Sequence, residues 1–309
     1  DVIETHMSWV FLTAERVYKL KKPVRMAFLD FSTIEQRRFY CEESIRLNRR
    51  LAPEVYLGVV ALRKTDSRLS LEGGGEVVDW LEEMVRLPAD AMLDVAIRAS
   101  RPIEEHIGRV VEVLATLYRR APTMILSCEA YRSRLAQQIA ANHETLARFR
   151  VERFVDAQAL RAAQDRFLMR IDVFDARVEG GHIIEGHGDL RPEHVCQVSP
   201  PVVIDCLEFD KNLRILDAAD ELSYLGMECE ALGAPGVDRI LFEAYARETG
   251  DEPPVALRDF YKCHRAVVRS KLAFLHLDDR PREEHARWER RAATYLRLAE
   301  TYSSRMSES

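Results

Sequence analysis

The sequence predicts an α+β fold with a small β-rich N-terminal part carrying one helix and a larger, mainly helical C-terminal part. Three observations carry that expectation. Apolar runs with period-two alternation lie before residue 88, apart from one strip over 181–210. Beyond Pro88 the apolar residues recur with helical spacing. Strands and helices are clustered along the chain rather than alternating, which argues against a doubly wound parallel sheet.

Taken in order, Val2-Ile3 opens a first short strand and Trp9-Val10-Phe11-Leu12 a second. Ala14-Glu15-Arg16 makes a tight connection to Val17-Tyr18-Lys19-Leu20-Lys21-Lys22, which Pro23 stops. Ser32 stands where an N-cap belongs, with Glu35 three residues later completing a capping box, so a helix is expected through Arg46, Leu47 and Leu51 until Pro53 ends it. Two further strands are expected over 56–62 and 77–87, separated by a polar, glycine-rich loop over 64–75. Residues 1–86 thus form the N-terminal part and 87–309 the C-terminal part. In the latter, helices are expected over 103–119, 131–171, 218–232, 237–247, 257–277 and 282–302. Asp217 suits the N-cap of the helix over 218–232, and Asp220 and Glu221 in its first turn favour its dipole. Arg265, Arg269 and Lys271 read as a solvated face, with Val268, Leu272 and Phe274 turned to the core.

The 309 residues are 47% hydrophobic, enough for a sizeable core in about two domains. Lys plus Arg number 45 against 51 Asp plus Glu, a net charge of −6, so the basic excess of a nucleic-acid binder is missing and no nucleic-acid partner is expected. The six cysteines show no Cys-x-x-Cys pairing and read as reduced thiols. No apolar run reaches the length of a membrane span and no signal peptide is recognisable, so a cytoplasmic protein without a membrane partner is expected. The sequence begins at Asp1 rather than Met, which leaves room for upstream residues belonging to the N-terminal part.

The chemistry concentrates between residues 187 and 205. His187-Gly188-Asp189-Leu190-Arg191-Pro192-Glu193-His194 is followed, seven residues on, by Val202-Val203-Ile204-Asp205. The apolar strand over 202–204 would deliver the Asp205 carboxylate to the end of a sheet, where a hard cation seeking oxygen ligands could sit. On the N-terminal side, alternation puts Val17, Lys19 and Lys21 on one face of their strand. Glu43, Leu47 and Leu51 are spaced by four and share a face of the capped helix, which selects Glu43 over Glu42 as its inward acid.

The His187–Asp205 grouping resembles the catalytic loop and metal-binding strand of kinase-like phosphotransferases. Asp217-Ala218-Ala219-Asp220-Glu221-Leu222 is similar to the Asp-Pro-x-x-Asp-Leu segment of the aminoglycoside phosphotransferase-like family, within the protein-kinase-like superfamily. The stretches from Glu4 to Leu12 and from Tyr18 to Val24 extend the resemblance over the whole chain, to a bacterial subgroup of unassigned substrate.

That resemblance implies a two-lobed kinase-like fold and transfer of the γ-phosphoryl group of ATP or GTP to a hydroxyl of a small molecule, with Mg²⁺. Asp189 would accept the proton of the acceptor hydroxyl, Asp205 would hold the metal, and Arg191 would touch the transferring phosphate. His187 would brace the loop and the metal-binding strand. His194 stands where the family places Asn. It is either a second metal ligand, directly or through water, for which Mn²⁺ is better suited than Mg²⁺, or a hydrogen-bonding residue that leaves the metal to Asp205. Lys19 matches the strand lysine that clamps the nucleotide phosphates, with Lys21 and Lys22 as fallbacks and Glu43 as its partner acid. No glycine-rich phosphate loop occurs; the turn from Glu4 to Ser8, with the hydroxyls of Thr5 and Ser8, takes its place. Gly73-Gly74-Gly75 precedes a strand rather than Lys-Ser/Thr and a helix, so it is not a Walker motif, and the P-loop ATPase module that some relatives append is not expected here.

Two other classes compete with the phosphotransferase. The substituted His194 and the missing glycine loop point to a catalytically silent nucleotide-binding regulatory module. The cluster His187, Asp189, His194 and Asp205 points to a metal-dependent hydrolase, which would leave the lysine strand and the acidic helix without a role.

Overall fold

The computed structural model describes residues 1–26, 29–66, 68–122 and 124–308. The chain groups into two compact units, one of residues 1–119 with 187–214, the other of residues 120–186 with 215 onward. The His187–Asp205 segment therefore belongs with the N-terminal strands.

In the first unit, β1 (Val2–Glu4), β2 (Ser8–Leu12) and β3 (Arg16–Lys21) form an antiparallel meander. A short pair, β4 (Arg25–Met26) with β5 (Leu29–Asp30), leads to α1 (Ile34–Asn48). The helix is capped by Thr33, not by Ser32 as expected. The Thr33 hydroxyl accepts the Gln36 N–H at 3.2 Å, whereas Ser32 is held back by Asp30, whose Oδ1 accepts both its N–H and its hydroxyl.

After α1 come β6 (Tyr56–Thr65), β7 (Arg68–Ser70) and β8 (Glu76–Val85). The polar loop expected over 64–75 is shorter, because β6 continues to Thr65 and β7 pairs with it as an edge strand. Backbone pairing there satisfies amides that a loop would leave to water. The six strands make one antiparallel sheet in the order β1-β2-β3-β8-β6-β7. Helix α1 packs on β6 and β8, burying Cys41, Ile45 and Leu47 together with Leu81. Helices α2 (Leu93–Arg98) and α3 (Glu104–Arg120) follow.

In the second unit, the expected single helical run over 131–171 divides into α4 (Cys128–Leu146), α5 (Ala157–Leu168) and α6 (Ile171–Glu179). Asp156 starts α5 afresh, its carboxylate accepting the N–H groups of Gln158 and Ala159. Strand β9 (Ile183–Glu185) ends this stretch.

The chain then re-enters the first unit with a 3₁₀ turn at Pro192–His194 and a tight hairpin, β10 (Val195–Cys196) and β11 (Val202–Val203), paired Val195↔Val203 and Cys196↔Val202. Cys196 and Val202 pack into one apolar cluster with Ile45, Ala52, Val55 and Tyr56. This cluster fastens the hairpin to the end of α1, so the segment leaving β11, Ile204 and Asp205, has a defined place.

In the second unit again, β12 (Ile215–Asp217) pairs with β9, and α7 (Ala218–Ala231), α8 (Val237–Thr249), α9 (Val255–Asp279) and α10 (Arg282–Glu308) complete it. Asp217 is the N-cap of α7, accepting the Ala219 N–H at 2.8 Å. The same carboxylate receives two bonds from Arg177 and one from the Tyr261 hydroxyl. Arg265 and Arg269 do not form the solvated face expected of them. Arg265 pairs with the buried Asp220 and Arg269 with the buried Glu228, so α7 and α9 meet through two desolvated ion pairs. Lys271 bonds Asn142 at 2.7 Å. Acids lodged on the interior of α7 require cations facing them, and α9 supplies two, four residues apart. No helix among the described residues is long and apolar enough to cross a membrane.

Candidate functional site

Asp205 follows β11 with a left-handed backbone, φ +62°. Non-glycine residues rarely take this conformation, and it persists where surrounding contacts over-determine it. It turns the carboxylate towards β3, where Lys19 Nζ lies 2.6 Å from Asp205 Oδ1. Asp205 Oδ2 lies 3.7 Å from His194 Nε2. Burial opposes ionisation of this carboxyl, but Lys19, backed by Arg191, outweighs it and holds it well below the usual carboxylate range. Its side chain is 47% exposed, so the charge is accessible as well as stabilised. For Lys19, burial likewise opposes the charge, yet Asp205 and Glu82 keep the ammonium protonated well above its ordinary value.

His187 is fully buried and joins the two halves of the motif. One ring nitrogen, Nε2, donates to the Ile204 carbonyl at 2.8 Å, and the other, Nδ1, accepts the Asp189 N–H at 3.2 Å. Burial lowers its pKa to about 4, so the ring is neutral, as that bonding pattern requires. His194 donates from Nδ1 to the Asp189 carbonyl at 2.8 Å. Its Nε2 is then an acceptor, and its one lone pair receives Arg191 Nη2 at 3.0 Å. Arg191 also bonds Asp189 Oδ2 at 3.0 Å and pairs with Glu193. One guanidinium thus spans Asp189, Glu193 and His194.

Lys21 is completely buried between Glu82 Oε1, at 2.8 Å, and Glu208. Although burial opposes its charge, the two acids raise its pKa. Glu82 is in turn bonded by the Ser44 hydroxyl at 2.8 Å. The two inward lysines of β3 therefore differ: Lys19 faces Asp205, and Lys21 is locked within the sheet. Lys22 pairs with the exposed Glu4.

The structure does not bring Glu43 to Lys19. Glu43 pairs with Arg46 on its own helix and lies 3.5 Å from Arg214. The inward face of α1 meets the strand acids through Ser44, one residue on, and β8 supplies Glu82 where the helix was expected to supply an acid. Glu82 carries no sequence signal beyond its place in an alternating strand. The β1–β2 turn closes on itself, with the Thr5 hydroxyl accepting the Ser8 N–H at 2.9 Å and donating to the Ser8 carbonyl at 3.0 Å. Ser8 is 2% exposed.

Among the described residues no cluster of three or more His, Cys, Asp and Glu side chains is arranged to hold a metal. Asp205 Oδ2 and His194 Nε2 lie 3.7 Å apart and make a two-donor set once a cation takes the place of the Arg191 N–H on Nε2. It fits a cation that completes its shell with phosphate oxygens and water, as Mg²⁺ and Mn²⁺ do in nucleotide sites, and does not fit a closed structural site.

No family profile matches the chain. It is 35% identical over 279 residues to uncharacterized proteins of Mycobacterium tuberculosis and Mycobacterium bovis. That match covers 88% of the chain and 54% of each relative, so the chain spans about half the length of the curated relatives it matches. Among solved structures, a choline/ethanolamine kinase family protein from Mesorhizobium loti covers the whole chain and 92% of its own, with 13% identity and a TM-score of 0.52. A glucosamine kinase in complex with glucosamine, ADP and inorganic phosphate covers the whole chain and 81% of its own, with 12% identity and a TM-score of 0.50. With its antiparallel sheet, capped helix, motif hairpin and helical remainder, the chain shares the α+β fold of these kinases.

Proposed function

We propose that this chain is a phosphotransferase that moves the γ-phosphoryl group of ATP or GTP to a hydroxyl of a small molecule. The observation that supports it most is the convergence of Lys19, Asp189, His194 and Asp205 within one compact unit.

Phosphoryl transfer asks a protein mainly to position reactants and balance charge. Asp189 orients the acceptor hydroxyl and takes its proton as the oxygen bonds to phosphorus and the bond to the leaving phosphate breaks. Arg191, already on Asp189, fixes the direction of that carboxylate and adds positive charge beside the reacting oxygens. Asp205 and His194 would hold the divalent cation, whose chemistry is to spread the charge of the phosphates. Lys19 supplies a permanent cation next to Asp205, and His187 keeps the loop and the strand end in register.

The test is incubation with labelled ATP or GTP, Mg²⁺ or Mn²⁺, and a panel of amino alcohols, amino sugars and aminoglycosides, followed by product detection. Label appears in an acceptor with the wild type and not with Asp189→Asn, while both bind nucleotide in a thermal-shift assay. Equal transfer by the variant would remove Asp189 from the mechanism. A second reading, a silent nucleotide-binding module, is favoured by one contact: Arg191 bonds both Asp189 and His194. Nucleotide binding with no transfer to any acceptor would select it.

A further inference from the structure

We infer that Asn48 and Tyr56 are positioning residues for Asp205, acting together as a two-point clamp on its backbone. The inference rests on the reading of Asp205 as the metal-holding residue and assigns the groups that aim it.

The chain at Asp205 takes the left-handed conformation without a glycine, and although Asp tolerates it better than most residues, contacts from outside hold it there. Two side chains do so at consecutive amides. The Tyr56 hydroxyl accepts the Asp205 N–H at 3.0 Å, and Asn48 Oδ1 accepts the Cys206 N–H at 2.8 Å. Both are buried, Tyr56 to 2% and Asn48 to 1% exposure, so neither bond competes with water.

Each clamp point is itself fixed. Asn48 Nδ2 donates to the Ser44 carbonyl at 2.9 Å, and the Ser44 hydroxyl bonds Glu82. The Tyr56 ring sits in the apolar cluster with Ile45, Ala52, Val55, Cys196 and Val202. The Cys206 thiol donates to the His187 carbonyl at 3.2 Å, which closes the loop from the other side. The last residue of α1 and the first of β6 therefore determine where the Asp205 carboxylate points. Loss of either acceptor frees one amide and lets the residue relax towards ordinary backbone angles, which withdraws the carboxylate from Lys19 and His194.

The experiment compares the wild type, Tyr56→Phe, Asn48→Ala and Asp205→Asn. Mn²⁺ binding in the presence of a non-hydrolysable ATP analogue is followed by electron paramagnetic resonance, with nucleotide binding in the absence of metal measured alongside. Tyr56→Phe and Asn48→Ala are expected to weaken Mn²⁺ binding about tenfold and to raise the metal concentration for half-maximal transfer in parallel, with metal-free nucleotide binding unchanged. If Asp205→Asn abolishes Mn²⁺ binding while both clamp variants bind as the wild type does, the clamp is overturned and the reading of Asp205 stands. If Asp205→Asn binds Mn²⁺ as the wild type does, the reading itself falls and the clamp with it. Should one clamp variant fail to fold, the other decides. Failure of both to fold would assign these groups to the fold rather than to the site and would overturn the inference.

Discussion

Lys19 Nζ and Asp205 Oδ1 stand 2.6 Å apart, a contact between residues 186 positions apart in sequence, and the pair is partly open to solvent. A cation and an anion held this close, with water on one side, stabilise the fold little but define the local field strongly. Lys19→Met should therefore lower kcat/KM for the nucleotide about 100-fold while shifting Tm only slightly. Steady-state kinetics beside a melting curve checks both halves, and a large loss of Tm would contradict the partly exposed pair.

The opposite separation is expected at Lys21. Its ammonium is fully buried between Glu82 and Glu208. Lys21→Met leaves two acids facing each other without a cation and should destabilise the protein by roughly 3 kcal/mol in urea unfolding. Lys22→Ala, which removes the pair with exposed Glu4 and the contact of the ammonium with the Trp9 ring, should cost less than about 1 kcal/mol.

Glu43 is tied to Arg46 and Arg214, so Glu43→Gln should leave the nucleotide KM within about threefold of the wild type and lower stability by less than about 1 kcal/mol. A rise in KM comparable to that of Lys19→Met would place Glu43 in the phosphate clamp after all.

His194 offers a nitrogen where a hard cation prefers oxygen. His194→Asn substitutes an amide that can supply oxygen to a cation, although the donor to the Asp189 carbonyl must then be re-formed by the side-chain NH₂. The ratio of activity with Mn²⁺ to activity with Mg²⁺ should fall about tenfold, measured at saturating nucleotide. An unchanged ratio would exclude His194 from the metal.

His187 makes stability depend on pH. Its folded pKa, about 4, lies below the ordinary 6.5, so over that interval the unfolded chain binds a proton that the folded chain does not. Stability is full above pH 6.5, declines as the pH falls towards 4, and levels off below that, a loss on the order of 3 kcal/mol for this group. His187→Gln, which can still donate to the Ile204 carbonyl, should flatten the decline in Tm over this window. The buried His264 shifts in the same direction in both proteins, so only the difference between them reports on His187.

Asp189, Asp205 and Lys19 stand out in the sequence as candidates because their signals are local: a spacing along one loop, an apolar strand ending in an acid, an alternating face. Partnership was harder to read. The four-residue spacing of Glu43, Leu47 and Leu51 identified a helix face, but which acid meets which lysine depends on the angle between α1 and the sheet, and Glu82 and Ser44 hold the positions that matter. Asn48 and Tyr56 lie near the end of one element and the start of the next, where their polar atoms find partners more than 140 residues away. Arg265 and Arg269 looked solvated because charge usually is. The signal against that reading was their spacing by four from the buried Tyr261, which aligned them with the core stripe of α9.

The two lysines of β3 also separate the ways in which a lineage can lose this protein. A random change at position 21 removes folded molecules from the population, and the defect is visible as missing protein. A change at position 19 is expected to leave an abundant, well-folded chain that has lost the proposed transfer. A descendant that drifted towards a purely binding role would therefore be expected to vary at 19 first and to keep 21.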